Sequence, residues 1–189
     1  MASRTASMQE NEKEEEHALA PAVRPSFREM FDSSLAYVCR VLRRLGVGPA
    51  DIEDAAQEVF TAIHGRWNEY DPERPLRPWL FSFAFRIAAN WRRRAQRIPE
   101  GEPESTEVAD LRSPEQAVLE QETRALVLAV LDRMPFERRD VFVMHDIEGL
   151  DAKSVAQLLD IPTNTVYSRL RVAREEFETG IARRQRDGA

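Results

Sequence analysis

The side chains with the most definite chemical purpose lie near the C-terminus, between Asn164 and Arg174. At about 100° per residue, Asn164, Tyr167, Ser168 and Arg171 share one face of a helix, with Arg169 and Arg174 on its flanks. Asn and Arg offer bidentate hydrogen bonds to base edges, and short polar groups keep a helix slim enough for a major groove. A solvated polar face is the plainer alternative, since most charged helix faces are no more than that. The surrounding residues favour a helix-turn-helix. Asp151 can cap a first helix with Val155, Ala156, Leu158 and Leu159 on its apolar side. Asp160 suits a left-handed turn residue, Pro162 stops the first helix, and Thr163 is a good cap for the second. Val166, Leu170, Ala173 and Phe177 then form a buried stripe, and small Ala156 lets the two helices cross closely.

A second chemistry-bearing stretch runs from Trp79 to Arg97. Leu80, Phe83, Ala84, Ile87 and Trp91 are expected to face inward. Phe85, Arg86, Ala89, Arg92, Arg93 and Gln96 are expected outside, with Trp79, Asn90 and Arg97 at the margin. Arginines interleaved with aromatics suit a single nucleic-acid strand, where rings stack on bases and guanidinium groups hold phosphates. The alternative is a basic surface whose aromatics merely finish the core. A third face, Asp51, Asp54, Gln57, Glu58 and Thr61, is mostly acidic, and spacing alone gives it no function.

Nothing else resembles a reaction centre. His17, His64 and His145 lack partners at ligand spacing, so neither metal nor cofactor is expected, and no Gly-rich phosphate loop is present. Cys39 is the single cysteine, which rules out an internal disulfide and points to a reducing cytoplasm. No apolar run approaches the roughly 20 residues needed to cross a bilayer, so no membrane insertion is expected. The net charge of −6 is unusual for a DNA binder, because phosphate neutralisation dominates affinity. The charge is segregated: five arginines and no acid between Arg86 and Arg97, against acidic runs at Glu10–Glu16 and Glu100–Glu115. Such a chain should grip DNA weakly alone and need a partner.

These stretches require helices to hold them, and no β alternation of useful length occurs. The expected fold is all-α: two small helical domains joined by a flexible acidic linker, the second ending in the helix-turn-helix. Residues 1–24 read as a disordered acidic tail, 25–97 as the first domain, 98–113 as the linker and 114–184 as the second domain. Ser26 and Glu29 have capping-box spacing ahead of a stripe of Phe27, Phe31, Leu35, Val38, Leu42 and Leu45 that stops at Gly46. Pro49 sits near the start of a helix burying Ile52, Ala56, Val59 and Ile63. Residues 68–78 read as a loop because of their three prolines. Ser113, Pro114 and Gln116 restart helix, with Leu126, Val130 and Met134 as its core side. Another helix of about 137–147 supplies Val141, Phe142 and Ile147, and Gly149 ends it.

With those residues in place, the chain resembles the extracytoplasmic-function (ECF) group of bacterial RNA polymerase sigma factors. The upstream signature runs from Glu53 to Phe60 (EDAAQEVF), then Trp79-Leu80 and Ile87 to Asn90. The downstream one is Leu131 to Pro135 (LDRMP), Glu148 to Leu150, Ile161-Pro162, Thr165-Val166, Ser168 to Leu170 and Ala173-Arg174. The resemblance covers roughly 26–97 and 114–178. It implies a region 2-like first domain and a region 4-like second domain. Asp51, Asp54, Gln57 and Glu58 would dock on core RNA polymerase. Tyr70, Asp71, Trp79, Phe85, Arg86, Asn90, Arg93 and Arg97 would open the downstream (minus-ten) element and hold its single strand. Asn164, Thr165, Tyr167, Ser168, Arg169, Arg171 and Arg174 would read the upstream (minus-thirty-five) element as duplex. The linker's carboxylates would thread toward the RNA exit path, and an anti-sigma factor is a further candidate partner.

The pattern also departs from the family. Asp160 and Asn164 stand where Gly is common, Tyr167 where a basic residue is frequent, and Arg94 where an aspartate is usual. An Arg-Ala-Arg run reads Val172-Ala173-Arg174, with Arg171 one place earlier. The chain ends at Ala189 without the extra C-terminal domain of some relatives. The expected function is therefore that of a sigma factor and not an enzyme. The alternatives are a one-component helix-turn-helix regulator with an α-helical sensor domain, and an adaptor that docks through acidic helices without binding DNA.

Overall fold

The computed structural model describes residues 24–96 and 114–187. The acidic tail, the linker, Arg97 and the Ser113 cap lie outside the described residues. Among those described, the chain is helical throughout, in two groups. The first holds α1 (Phe27–Arg44), a short 3-10 turn (Pro49–Asp51), α2 (Ile52–Arg66) and α3 (Leu76–Ala95). The second holds α4 (Pro114–Leu131), α5 (Phe136–Phe142), α6 (Ala152–Leu159) and α7 (Thr163–Asp187).

Helix α1 begins as its capping box dictates. Ser26 Oγ accepts from Glu29 N at 3.2 Å, and Glu29 Oε2 accepts from Ser26 N at 2.8 Å. Its end is set by Gly46 at φ 93°, a left-handed conformation that favours glycine. Along α1 the expected stripe is only partly right. Repeated steps of four drift about 40° each, so Leu35 rotates outward and is 38% exposed. Met30, Ser34 and Val41 are buried in its stead. Ile52, Ala56, Val59 and Ile63 are buried as expected, packed with Val38, Leu42, Leu80, Phe81, Ala84 and Ala88 where α1, α2 and α3 meet.

Helix α3 starts earlier than the prolines suggested. Its first three residues are Leu76, Arg77 and Pro78, a position where a missing N–H costs nothing because first-turn donors have no intrahelical partner. Ile87 and Trp91 are half-buried. Arg92, expected on the outer face, is buried. The reason is tertiary, since the second helical group packs over the C-terminal part of α3 and supplies Asp140 as its counter-ion.

In the second group α4, α5 and α6 all pack on α7. Val141 and Phe142 are buried, Ile147 half-buried, and Phe142 meets Phe177 at 4.7 Å between ring centroids. Leu126 is half-buried, Val130 is buried, and Met134 is buried just beyond the helix end at Leu131. After Phe142 the helix widens over Val143–Ile147, where Glu148 N donates to Val143 O, five residues back, at 2.9 Å. Gly149, at φ 75°, then turns the chain into α6.

The two groups meet where α1 ends. Arg139 of α5 and Arg92 of α3 converge on the last carbonyls of α1, flanked by pairs from Arg43 to Asp132 and from Arg44 to Glu148.

Candidate nucleic-acid interface

The helix-turn-helix is built by local chemistry. Asp151 Oδ1 accepts from the backbone N–H groups of Lys153 at 2.9 Å and Ser154 at 3.0 Å. Ser154 Oγ donates to Asp151 Oδ2 at 2.6 Å. These donors hold the Asp151 carboxyl below the usual carboxylate range, the Ser154 hydroxyl contributing most. Asp160 ends α6 in the left-handed conformation, at φ 53° and ψ 49°. Helix α7 begins one residue before the expected cap: Thr163 is already helical, and the Pro162 carbonyl accepts from Thr165 N at 2.9 Å and Val166 N at 3.2 Å. Val166, Leu170 and Ala173 are buried against α6, with Ala156 buried opposite.

That burial sends the other side of α7 outward. Asn164, Tyr167, Ser168, Arg171 and Arg174 are exposed, and Thr165 and Arg169 are half-buried. Tyr167 is 58% exposed, an unusual position for a large ring. The two outer arginines are held by carboxylates. Arg171 Nη1 meets Glu175 Oε1 at 2.7 Å. Arg174 makes two bonds to Asp146, Nε to Oδ2 and Nη2 to Oδ1, each 2.7 Å. The Arg174 hydrogen bond is the main reason the Asp146 carboxyl sits below its usual range, and partial burial opposes it. The Glu175 partner is legible in its i+4 spacing to Arg171. Asp146 comes from the widened turn before α6 and has no signal in the sequence.

The second surface is less open than its composition suggested. Trp79 is half-buried, with its ring 5.8 Å from Trp67, 5.2 Å from Tyr70 and 4.8 Å from Phe83. Tyr70 is only 5% exposed, stacks on Trp67 at 5.2 Å, and donates its hydroxyl to Arg74 O at 2.6 Å. These rings finish the core at the α2–α3 corner, where an aromatic box fastens the proline-rich segment. Asp71 is exposed and shapes that segment, its Oδ1 accepting from Glu73 N at 3.0 Å. Phe85 and Asn90 are half-buried, and Arg86 and Arg93 are exposed on α3. Arg93 donates to Asn90 Oδ1, so this pair is pre-positioned.

On the third face Asp54 and Gln57 are exposed, and Asp51 and Glu58 half-buried. Glu58 is partly neutralised by Arg94 at 3.0 Å. Among the described residues no cluster of His, Cys, Asp and Glu could hold a metal ion, and no helix is long and apolar enough to cross a membrane.

Comparison with known proteins fits both groups. The family profile described as Sigma-70 region 2 matches residues 30–98, and that described as Sigma-70, region 4 matches residues 124–177. Among curated relatives, the ECF RNA polymerase sigma-E factor of Haemophilus influenzae is 27% identical over 141 residues, covering 69% of this chain and 75% of the relative. The sigma-E factor of Escherichia coli K12 is 24% identical over 145 residues, covering 71% and 76%. Among solved structures, the sigma factor RpoE bound to the anti-sigma factor NepR from Bartonella quintana shares the fold with a TM-score of 0.60 at 14% identity, over 82% of this chain and 96% of that one. CnrH in complex with the cytosolic domain of CnrY gives 0.53 at 22%, over 81% and 85%. Two helical groups, a helix-turn-helix in the second, and both region profiles matched in order lead to one assignment: the chain belongs to the sigma-70 family, in its ECF group, and is a sigma factor that directs RNA polymerase to promoters.

Proposed function

We propose a residue-level division of labour within this sigma factor. Residues 25–97 form the region 2 domain and 114–184 the region 4 domain, joined by the acidic stretch 98–113. Asp54 and Gln57, with Asp51 and Glu58 beside them, dock on core polymerase. Arg86 and Arg93, with Asn90 and Phe85, hold the single strand of the downstream element. Trp79 and Tyr70 act there chiefly by bracing the segment around Asp71. Asn164, Tyr167, Ser168 and Arg171 read base edges of the upstream element, with Thr165, Arg169 and Arg174 at the phosphates. The polymerase performs the chemistry, no residue here being assigned a catalytic role, and the setting is the cytoplasm. An anti-sigma protein is a further partner, in keeping with the complexes known for RpoE and CnrH.

The observation that carries this reading is the outward face of α7, polar and arginine-bearing above a buried stripe. The net charge of −6 supports dependence on polymerase, because a chain of that charge grips phosphates weakly alone. Run-off transcription tests it: core polymerase plus this chain, on promoter fragments from its own genome, should yield specific transcripts that core alone does not. Nanomolar operator binding by the lone chain, without transcripts, would instead mark a one-component regulator.

A further inference from the structure

The last carbonyls of a helix have no intrahelical partner and need donors from elsewhere. At the end of α1 those donors are two buried arginines, one from each helical group. Arg139 of α5, 2% exposed, donates from Nε to Arg44 O at 2.5 Å and from Nη2 to Arg43 O at 2.9 Å. It also reaches Asp132 Oδ1 at 3.0 Å. Arg92 of α3 donates to Leu45 O at 2.7 Å and pairs with both oxygens of Asp140 of α5, at 2.5 and 2.8 Å. The Arg92 guanidinium lies 4.7 Å over the Phe136 ring. Outside this centre, Arg43 makes a two-pronged pair with Asp132 at 2.9 and 2.7 Å. Glu148 accepts from Tyr37 Oη at 2.8 Å and Arg44 Nη1 at 3.1 Å. Gly46 permits the approach, since a Cβ there would stand 2.9 Å from Phe136 and 3.1 Å from Arg139.

The junction is thus ionic and hydrogen-bonded, with little apolar surface. Buried ion pairs offset their desolvation only when every partner is present, so such a contact is specific without being irreversible. Polar contacts between domains of one chain are the kind that open and close. Both DNA-facing helices contribute to it or adjoin it. Arg92 neighbours the exposed Arg93 on α3, and half-buried Arg169 of α7 lies within electrostatic reach of Asp140.

Docking fixes the two DNA surfaces close together, and the promoter needs them apart. Elements centred near minus ten and minus thirty-five are separated by about 25 base pairs, or roughly 85 Å of duplex at about 3.4 Å per pair. Each helical group, of about 70 residues, has a radius of gyration of only about 11 Å. Groups in direct contact cannot span that length. Residues 97–113, at about 3.3–3.6 Å each, can reach up to roughly 60 Å and so permit separation.

We propose that the free chain rests in this self-docked form, the C-terminal end of α1 and Arg92 serving as docking site for α5 of its own second group, and that loading onto polymerase and promoter pulls the two apart. The separation step rests on the sigma-factor reading; the docking itself does not. It is tested with the full chain carrying Cys39→Ser and a dye pair on Ser33→Cys and Lys153→Cys, both exposed positions. Energy transfer should be efficient in the free protein and lost in Glu148→Arg. Adding Arg44→Glu, which inverts the pair, should restore it, and that rescue excludes simple misfolding. Core polymerase with promoter DNA should abolish transfer. Because docking hides the competent form, Glu148→Arg should bind core several-fold more tightly than the parent. Low transfer in the free parent chain, or high transfer persisting in a transcribing complex, would overturn the proposal. So would weaker core binding by Glu148→Arg. If core polymerase never uses the chain at all, the sigma-factor reading fails, while the free-chain rescue still decides the docking.

Discussion

Arg171 and Arg174 differ from Arg86 and Arg93 in what already holds them. The first two are clamped by Glu175 and Asp146 on a helix whose base-facing side is rigid, so they suit readout of fixed base edges. Arg86 is free to follow a moving strand, and Arg93 is steadied only by neighbouring Asn90. Asn164→Ala and Arg171→Ala should therefore each cost about 1–3 kcal/mol at one upstream base pair. Arg86→Ala and Arg93→Ala should leave recruitment to that element intact and reduce melting. Transcription from a normal promoter and from one premelted over the downstream element separates the two sets: the bubble should rescue only the α3 pair. Trp79→Ala is a poorer probe, because it also empties the aromatic box. A second expectation concerns acid. The Asp151 carboxyl is lowered in the fold by its cap hydrogen bonds, so the native chain binds fewer protons than the unfolded one below the ordinary carboxylate range. Its stabilisation is complete above about pH 4 and is lost as pH falls through the lowered value. Asp151→Asn keeps a cap without a titrating group. The melting temperature of that variant should fall less steeply than the parent's between about pH 4 and pH 3.

At the scale of elements, the long α7 serves two ends. Its N-terminal turns carry the DNA face, and its C-terminal half is clasped by α4 through Gly180. A Cβ at Gly180 would lie 2.6 Å from Val130 Cγ1, a side chain only 3% exposed that cannot swing aside. Gly180→Ala should therefore destabilise the second group by about 1–3 kcal/mol despite the usual helical preference for alanine. Adding Val130→Ala should recover part of the loss, which thermal melts of the two variants would reveal. No such cost is expected at Gly65, where an added Cβ would meet nothing within 4 Å.

The whole molecule is an acidic chain whose basic groups are largely spoken for. Besides the clamped arginines on α7, Arg92 and Arg139 are buried in the junction between groups, and Arg94 answers Glu58. This leaves Asp54 as the fully exposed carboxylate on the proposed polymerase face, with Glu58 half-neutralised. Charge reversal should follow that difference. Asp54→Lys should weaken core binding by a few kcal/mol, and Glu58→Lys by less, with folding changed by under about 0.5 kcal/mol for Asp54. A pull-down titration with core polymerase measures both. Equal losses would mean that Arg94 leaves Glu58 when the partner arrives.

Sequence alone determined what local physics controls. The Ser26–Glu29 box, the Asp151 cap, the left-handed Asp160 and the stripe of Val166, Leu170 and Ala173 depend on spacings of a few residues, and each stands where the spacing put it. The helical class and the outward side of α7 follow from those. What periodicity could not supply was the fate of side chains that meet across the chain. Arg92 reads as a surface arginine in any helical projection, and only Asp140, 48 residues away, offsets the desolvation of burying it. Tyr70 and Trp79 read as strand-stacking rings, yet the α2–α3 corner folds them onto Trp67 and Phe83. Asp146 reaches Arg174 because the helix before it widens by one residue, a register change without a local signature. Hydrophobic period tells which side of a helix is apolar, while a buried charge is decided by its counter-charge, and that partner is placed by tertiary packing.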